Sequence, residues 1–202
     1  RRALSYLIAQ GFGYAVMMTF IANAPFAYIE HFHVSPELFS GLFIANVVVV
    51  VIINRLNSLL LHRYEPPRLL KAFLSLQLLG GMILVSSMIM APDNLWFAVI
   101  GFILCASSNA GILPNASVSF MHYFEKNSGI ASALLGAVQY GTAAAVSALA
   151  AILTTDSLWP MILTMLTSTL IALTAAIIAA QDKTDGNIDT PLLRADLELI
   201  RD

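Results

Sequence analysis

The chain has 202 residues, 58% of them hydrophobic and 11% charged, with a formal net charge of −2 and a mean hydropathy of +0.80. Those values lie outside the range of a water-soluble domain and place the chain in a lipid bilayer. Its ten Lys and Arg residues form no basic patch, which excludes nucleic-acid binding, and a lone Cys105 excludes an internal disulfide and says nothing of the redox compartment.

The charges are bunched between apolar segments long enough to cross about 30 Å of hydrocarbon as helices. An all-α integral membrane protein with six transmembrane helices is expected, at about 4–28, 37–61, 69–90, 95–120, 128–153 and 158–180, followed by a polar tail at 181–202. The chain enters its first span almost at once, with neither an initiator Met nor a signal-peptide pattern, so Arg1 reads as an interior position of a longer polypeptide. In that span Gln10, Tyr14, Met17, Ile21 and Pro25 recur every three or four residues and share one face. Tyrosine and methionine on such a face suit bulky ligands of mixed shape, although a methionine stripe also serves ordinary packing. Asn23 lies off that stripe.

In the following loop Glu30, His31, His33 and Glu37 fit no single helix face, so no metal site is expected. The second span contains FIANVVVVVIIN (Phe43 to Asn54), apolar almost throughout. That run excludes the alternating strand of a membrane barrel, and the lack of polar outer faces excludes a soluble bundle. Gly41 and Ala45 start a small-residue pattern, and Arg55 either snorkels to the interface or pairs with a carboxylate. The loop HRYEPPRLLK (His62 to Lys71) carries Arg63 and Arg68.

The fourth span ends in NAGILPNASVSFMHYF (Asn109 to Phe124), with two amides, a glycine and a proline at membrane depth. Ser108, Gly111, Asn115, Ser119 and His122 form a polar stripe, and Pro114 frees a carbonyl one turn earlier. Such a stripe either lines a water-filled cavity or makes bonds between helices. In the fifth span Gly129, Ala133, Ala137, Gly141 and Ala145 recur every fourth residue, a smooth face for close approach of another backbone. Beyond Ala180, Thr190 and Pro191 could cap a short helix with Leu193, Leu197 and Ile200 on one face; disorder is the alternative.

Nine of the ten basic residues fall on one side of this arrangement, and Arg55 lies near the same side, which makes both termini cytoplasmic. Pro25 near the end of the first span and Pro114 near the end of the fourth occupy corresponding places in oppositely directed helices. That is the mark of a 3+3 inverted repeat, and paired interruptions of this kind point to a transporter's binding site. No Ser/His/Asp, Cys/His or zinc-protease grouping lies within the membrane, so no enzyme is expected. Asn115-Ala116-Ser117 matches a glycosylation acceptor by letter but lies in a span, and the GFG at Gly11 lacks the context of a dinucleotide loop.

Four blocks in order, Phe20 to Val48, Leu61 to Leu70, Gly111 to Phe120 and Gly129 to Gly141, resemble the second half of a Bcr/CflA-type drug:proton antiporter of the major facilitator superfamily. The resemblance runs from Tyr6 to Ala180. It implies helices seven to twelve of a twelve-helix exporter of drugs or metabolites in a bacterial inner membrane, energised by the proton gradient and without a cofactor. The partners implied are the missing N-terminal six-helix half, in the same or a separate chain, the lipid bilayer and a small-molecule drug or metabolite. It also implies that the first and fourth helices line the cavity, so that Ser108, Asn109, Pro114 and Asn115 would face a water-filled route opposite Gln10, Tyr14, Met17 and Pro25, and that Gly41, Ala45, Gly129, Ala133, Ala137 and Gly141 pack at the seam between halves. The 62–71 loop resembles the second copy of the superfamily's cytoplasmic signature, but Glu65 replaces a turn glycine and Pro67 a basic residue. Anchoring of Arg63 and Arg68 at anionic lipid is then favoured over gating. No Asp, Glu or His lies in the middle of a span, so the proton carrier is expected in the missing half. The alternative to an exporter half is a stand-alone six-helix membrane subunit or a truncated relic without transport activity, with its stripes closed by packing within the chain.

Overall fold

A computed structural model describes residues 2–124, 127–153 and 157–185. It contains helices α1 (Arg2–Pro25), α2 (Pro36–Leu60), α3 (Pro66–Met90), α4 (Leu95–Ser107), α5 (Asn109–Met121), α6 (Ser128–Leu153) and α7 (Trp159–Asp185), with no strand among the described residues. α4 and α5 form one span, and a π-helical turn, Phe26–His31, extends α1, so six helices are long and apolar enough to cross a membrane. Lys126 and Asp156, and the capping and apolar positions expected at Thr190, Pro191, Leu193, Leu197 and Ile200, lie outside the described residues.

Local chemistry sets the helix ends. Ser35 caps α2 by accepting from the Leu38 N–H at 3.3 Å, with Pro36 at the first helical position, where a missing N–H costs nothing. Asn94 caps α4 by accepting from the Phe97 N–H at 3.2 Å. Pro25 closes the α-helical part of α1; beyond it the bonding loosens, and the Phe32 N–H reaches back five residues to the Ala27 carbonyl at 3.2 Å.

The fourth span is interrupted at Ser108, six residues before its proline. The Ser108 hydroxyl donates to the Leu104 carbonyl at 2.6 Å, which also accepts the Ser108 N–H, and the Gly111 N–H turns to the Ser108 carbonyl three residues back. A serine bonding into its own ladder followed by a tightened turn is a known cause of helix bending.

α1 and the fourth span sit in the middle. α1 packs against α7, α6 and α5, and the fourth span against α3, α2 and α1, while α3 also meets α7. Exchanging first for fourth span, second for fifth and third for sixth carries each of these pairings onto another. The fold is therefore two matching three-helix units, the arrangement of one half of the major facilitator superfamily.

Two large apolar clusters and a small third one around Tyr14 fill the interior of the described residues. One, toward the Pro25 end of α1, is built on Phe20, whose ring lies 5.4 Å from Phe102 and 6.3 Å from Tyr28. The other gathers Leu70, Phe73, Ile112 and Phe120 toward the opposite end. Between them backbones come unusually close: a Cβ placed on Gly80 would lie 2.9 Å from the Cys105 backbone nitrogen, and one on Gly101 2.7 Å from Leu84.

Candidate functional site

α2 and α6 are the least covered helices. Beside α6 the expected α1 face forms a wall in which Gln10 and Tyr14 are buried beneath their neighbours, Met17 is half-buried, and Ile21 and Pro25 are exposed. Leu113, Pro114 and Ser117 of α5 are half-buried on this side.

At the base of this wall Gln10 joins three helices. Its Nε2 donates to Gln139 Oε1 of α6 at 2.6 Å, and its Oε1 accepts from Ser117 Oγ of α5 at 3.1 Å. One turn along, Tyr14 meets Tyr140 edge-on with ring centroids 5.5 Å apart, flanked by Met17, Met18 and Leu113. Ser117, Gln139 and Tyr140 were not among the residues singled out from sequence. The signal was present, since Gln139 is an amide in the middle of an apolar helix; α6 was read for its small-residue period, and Gln139 and Tyr140 lie beside that stripe.

Ser108, Asn109 and Asn115 lie inside this half, at 0%, 1% and 1% exposure. The reason is the rotation of α5, which turns its polar stripe toward α2 and α3. Asn115 Nδ2 donates to Asn57 Oδ1 of α2 at 2.6 Å and to the Gly111 carbonyl at 2.7 Å, and Gly111 lies against the Phe73 ring of α3. Bonding between helices is therefore what Asn115 does here. Both amide atoms of Asn109 are buried without a partner, whereas Pro114 does lie on the open side.

The Asn57–Asn115 bond is testable by a double-mutant cycle with alanine at each position. A coupling of about 1 kcal/mol is expected, near the upper part of the range for hydrogen bonds between membrane helices. Additive effects in reversible detergent unfolding would show that the pair does not hold α2 to α5.

The six seam residues are all exposed, and a Cβ on Gly41, Gly129 or Gly141 would meet nothing within 4 Å. Their smooth faces are thus not used for packing within this chain. Arg63 and Arg68 are exposed at the end that also carries Arg2. A cavity of about 460 Å³ opens at that end, lined in part by Tyr6, Pro66, Val118 and Tyr123. Among the described residues no three of His, Cys, Asp and Glu are close enough to hold a metal ion.

No family model matches the chain. The chain is similar to the bicyclomycin resistance protein homolog of Haemophilus influenzae, being 26% identical over 165 residues, which are 82% of this chain and 41% of that protein. It thus spans less than half the length of the curated relative it matches, and the resemblance to the Bcr/CflA type is borne out. With six apolar spans, the chain is a multi-pass membrane protein.

Proposed function

We propose that this chain is one half of a drug-efflux transporter that works by alternating access, with the open wall of α1, α5 and α6 facing a cavity shared with a second six-helix half. The observation that carries this reading is the pair of smooth faces on α2 and α6, where Gly41, Gly129 and Gly141 have open space beside them, in a chain matching 41% of a drug-resistance protein. Small residues on a membrane helix let another backbone approach, and among the described residues no element does so. A stand-alone subunit or relic is not favoured, because 82% of this chain matches part of a drug-resistance protein and the small-residue faces of α2 and α6 have open space beside them.

Export is driven by the proton gradient in this reading, and the proton is carried outside this chain. No Asp, Glu, His, Lys or Arg occurs between Arg2 and Glu30, between Asp93 and His122 or between Lys126 and Asp156. The wall therefore recognises and the other half couples. The distribution of Lys and Arg supports cytoplasmic termini in a bacterial inner membrane.

The test is thiol labelling in the native polypeptide that carries this chain, after Cys105→Ala removes the buried thiol. With a membrane-impermeant reagent, Tyr140→Cys is expected to label from one side and Asn115→Cys to stay unlabelled. A transported drug should slow labelling at position 140 several-fold, and a protonophore should abolish drug efflux. Complete inaccessibility of position 140 from both sides would overturn the transporter reading.

A further inference from the structure

We propose that the chain Ser117–Gln10–Gln139, with Tyr14 and Tyr140 beside it, is the solute-reading element of this half, and that it selects an uncharged solute carrying an amide-type donor and acceptor next to a ring. This rests on the transporter reading above and names the substrate class of the same site.

The bonding within the chain decides which valences remain. Gln139 spends its Oε1 on the Gln10 amide at 2.6 Å, so its two Nε2 hydrogens are left to donate. Ser117 spends its hydroxyl hydrogen on Gln10 Oε1 at 3.1 Å, so its oxygen is left to accept. Gln10, 1% exposed, serves both and holds them in register. The wall therefore presents a fixed donor from α6 and a fixed acceptor from α5, and the complement of that pair is a carbonyl with a neighbouring N–H or O–H.

Two further features narrow the class. Tyr140 is 62% exposed and stands perpendicular to the Tyr14 ring, so aromatic surface is offered beside the polar pair. A Cβ on Gly136, one turn from Tyr140, would meet nothing within 4 Å, which leaves room for a bulky group. Secondly, the spans forming the wall hold no charged side chain at membrane depth. A charged solute leaving water here would find no countercharge from this half, whereas an uncharged one exchanges its hydrogen bonds with water for bonds to the wall.

The experiment follows efflux of two probes from cells carrying the native polypeptide: chloramphenicol, uncharged with an amide, hydroxyls and an aromatic ring, and tetraphenylphosphonium, a permanent cation without hydrogen-bonding groups. The wild type is expected to export chloramphenicol in preference. Gln139→Leu should raise the KM for chloramphenicol about tenfold and Ser117→Ala about threefold, in line with the loss of one or two uncharged hydrogen bonds. Gln139→Glu keeps the acceptor that Gln10 needs and adds a charge, so it should lower chloramphenicol efflux and raise that of the cation. Amounts in the membrane are matched by immunoblot, and Ser117→Ala, small and half-buried, serves if the Gln139 variants do not accumulate. Preference for the cation in the wild type, or unchanged chloramphenicol KM in Ser117→Ala and the accumulating Gln139 variants, would overturn the inference and leave the transporter reading standing. Export of neither probe would count against the transporter reading itself.

Discussion

Replacing Gly80 by alanine is expected to lower the apparent melting temperature of the protein in detergent by about 2–8 °C, whereas Gly136→Ala should leave it unchanged or slightly higher. Both substitutions add one methyl group to the exterior of a helix, and on propensity alone each would stabilise by up to about 1 kcal/mol. What separates them is the neighbour. The methyl at position 80 would lie 2.9 Å from the Cys105 nitrogen, 2.9 Å from its sulfur and 3.0 Å from the Gly101 carbonyl oxygen, while at position 136 it would meet nothing within 4 Å. Two of the three contacts at Gly80 are backbone atoms, which cannot rotate away, so α3 and α4 must move apart along a contact that also seats Leu84 against Gly101. Overpacking of this kind costs about 1–3 kcal/mol. Thermal unfolding followed by the fluorescence of a C-terminal fusion measures it, and equal melting of the two variants would show that α3 and α4 are not held at this spacing.

The two kinds of glycine divide what could be read from the sequence from what could not. Apolar length alone marks the helices that can span a membrane, and the paired prolines point to the inverted arrangement seen in the pairings of α1 and the fourth span. The four-residue period of α6 was legible as a smooth face because a pattern within one helix needs no partner to be seen. Gly80 and Gly101 were not singled out, since each matters only through the helix opposite. The same holds for amides. Asn115 attracts notice as a polar residue at membrane depth, but whether it meets water or Asn57 depends on how α5 is rotated, and a stripe of period 3.6 fixes a face without fixing what the face looks at. Pro25 and Pro114 mark disturbed helices, yet the interruption of the fourth span falls at Ser108, where a hydroxyl competes for the Leu104 carbonyl. Tyr14 and Gln10 could be assigned to one face from spacing; their partners Tyr140 and Gln139, some 130 positions away, required the packing of α6 on α1.

Gln77 is the residue whose replacement should have the second large effect. It is fully buried in α3, and its Nε2 reaches the Gly13 carbonyl of α1 at 3.2 Å and the Cys105 carbonyl of α4 at 3.3 Å. Its Oε1 lies 3.4 Å from Thr169 Oγ1 of α7, whose single hydroxyl hydrogen is also offered to the Met165 carbonyl at 2.9 Å. One side chain thus joins four helices at membrane depth, where such bonds average about 0.6 kcal/mol each. Gln77→Leu, similar in bulk, is expected to lose about 2 kcal/mol. Gln77→Glu should lose more, about 3 kcal/mol or above, because a carboxylate would face two carbonyl oxygens with no hydrogen to offer them. Reversible unfolding of the two variants in mixed micelles gives both numbers. Were Gln77→Glu no worse than Gln77→Leu, the amide could not be donating to Gly13 and Cys105. The order matters for transport as well as for stability. In the proposed transporter each half would move as a body against its partner, and a hub tying α1 to α3, α4 and α7 would leave α2 and α6, whose smooth faces are uncovered, as the surfaces for that movement. Loosening the hub should therefore slow efflux even at temperatures where the variant remains folded, and an efflux rate unchanged in folded Gln77→Leu would separate the hub's stability from any part in transport.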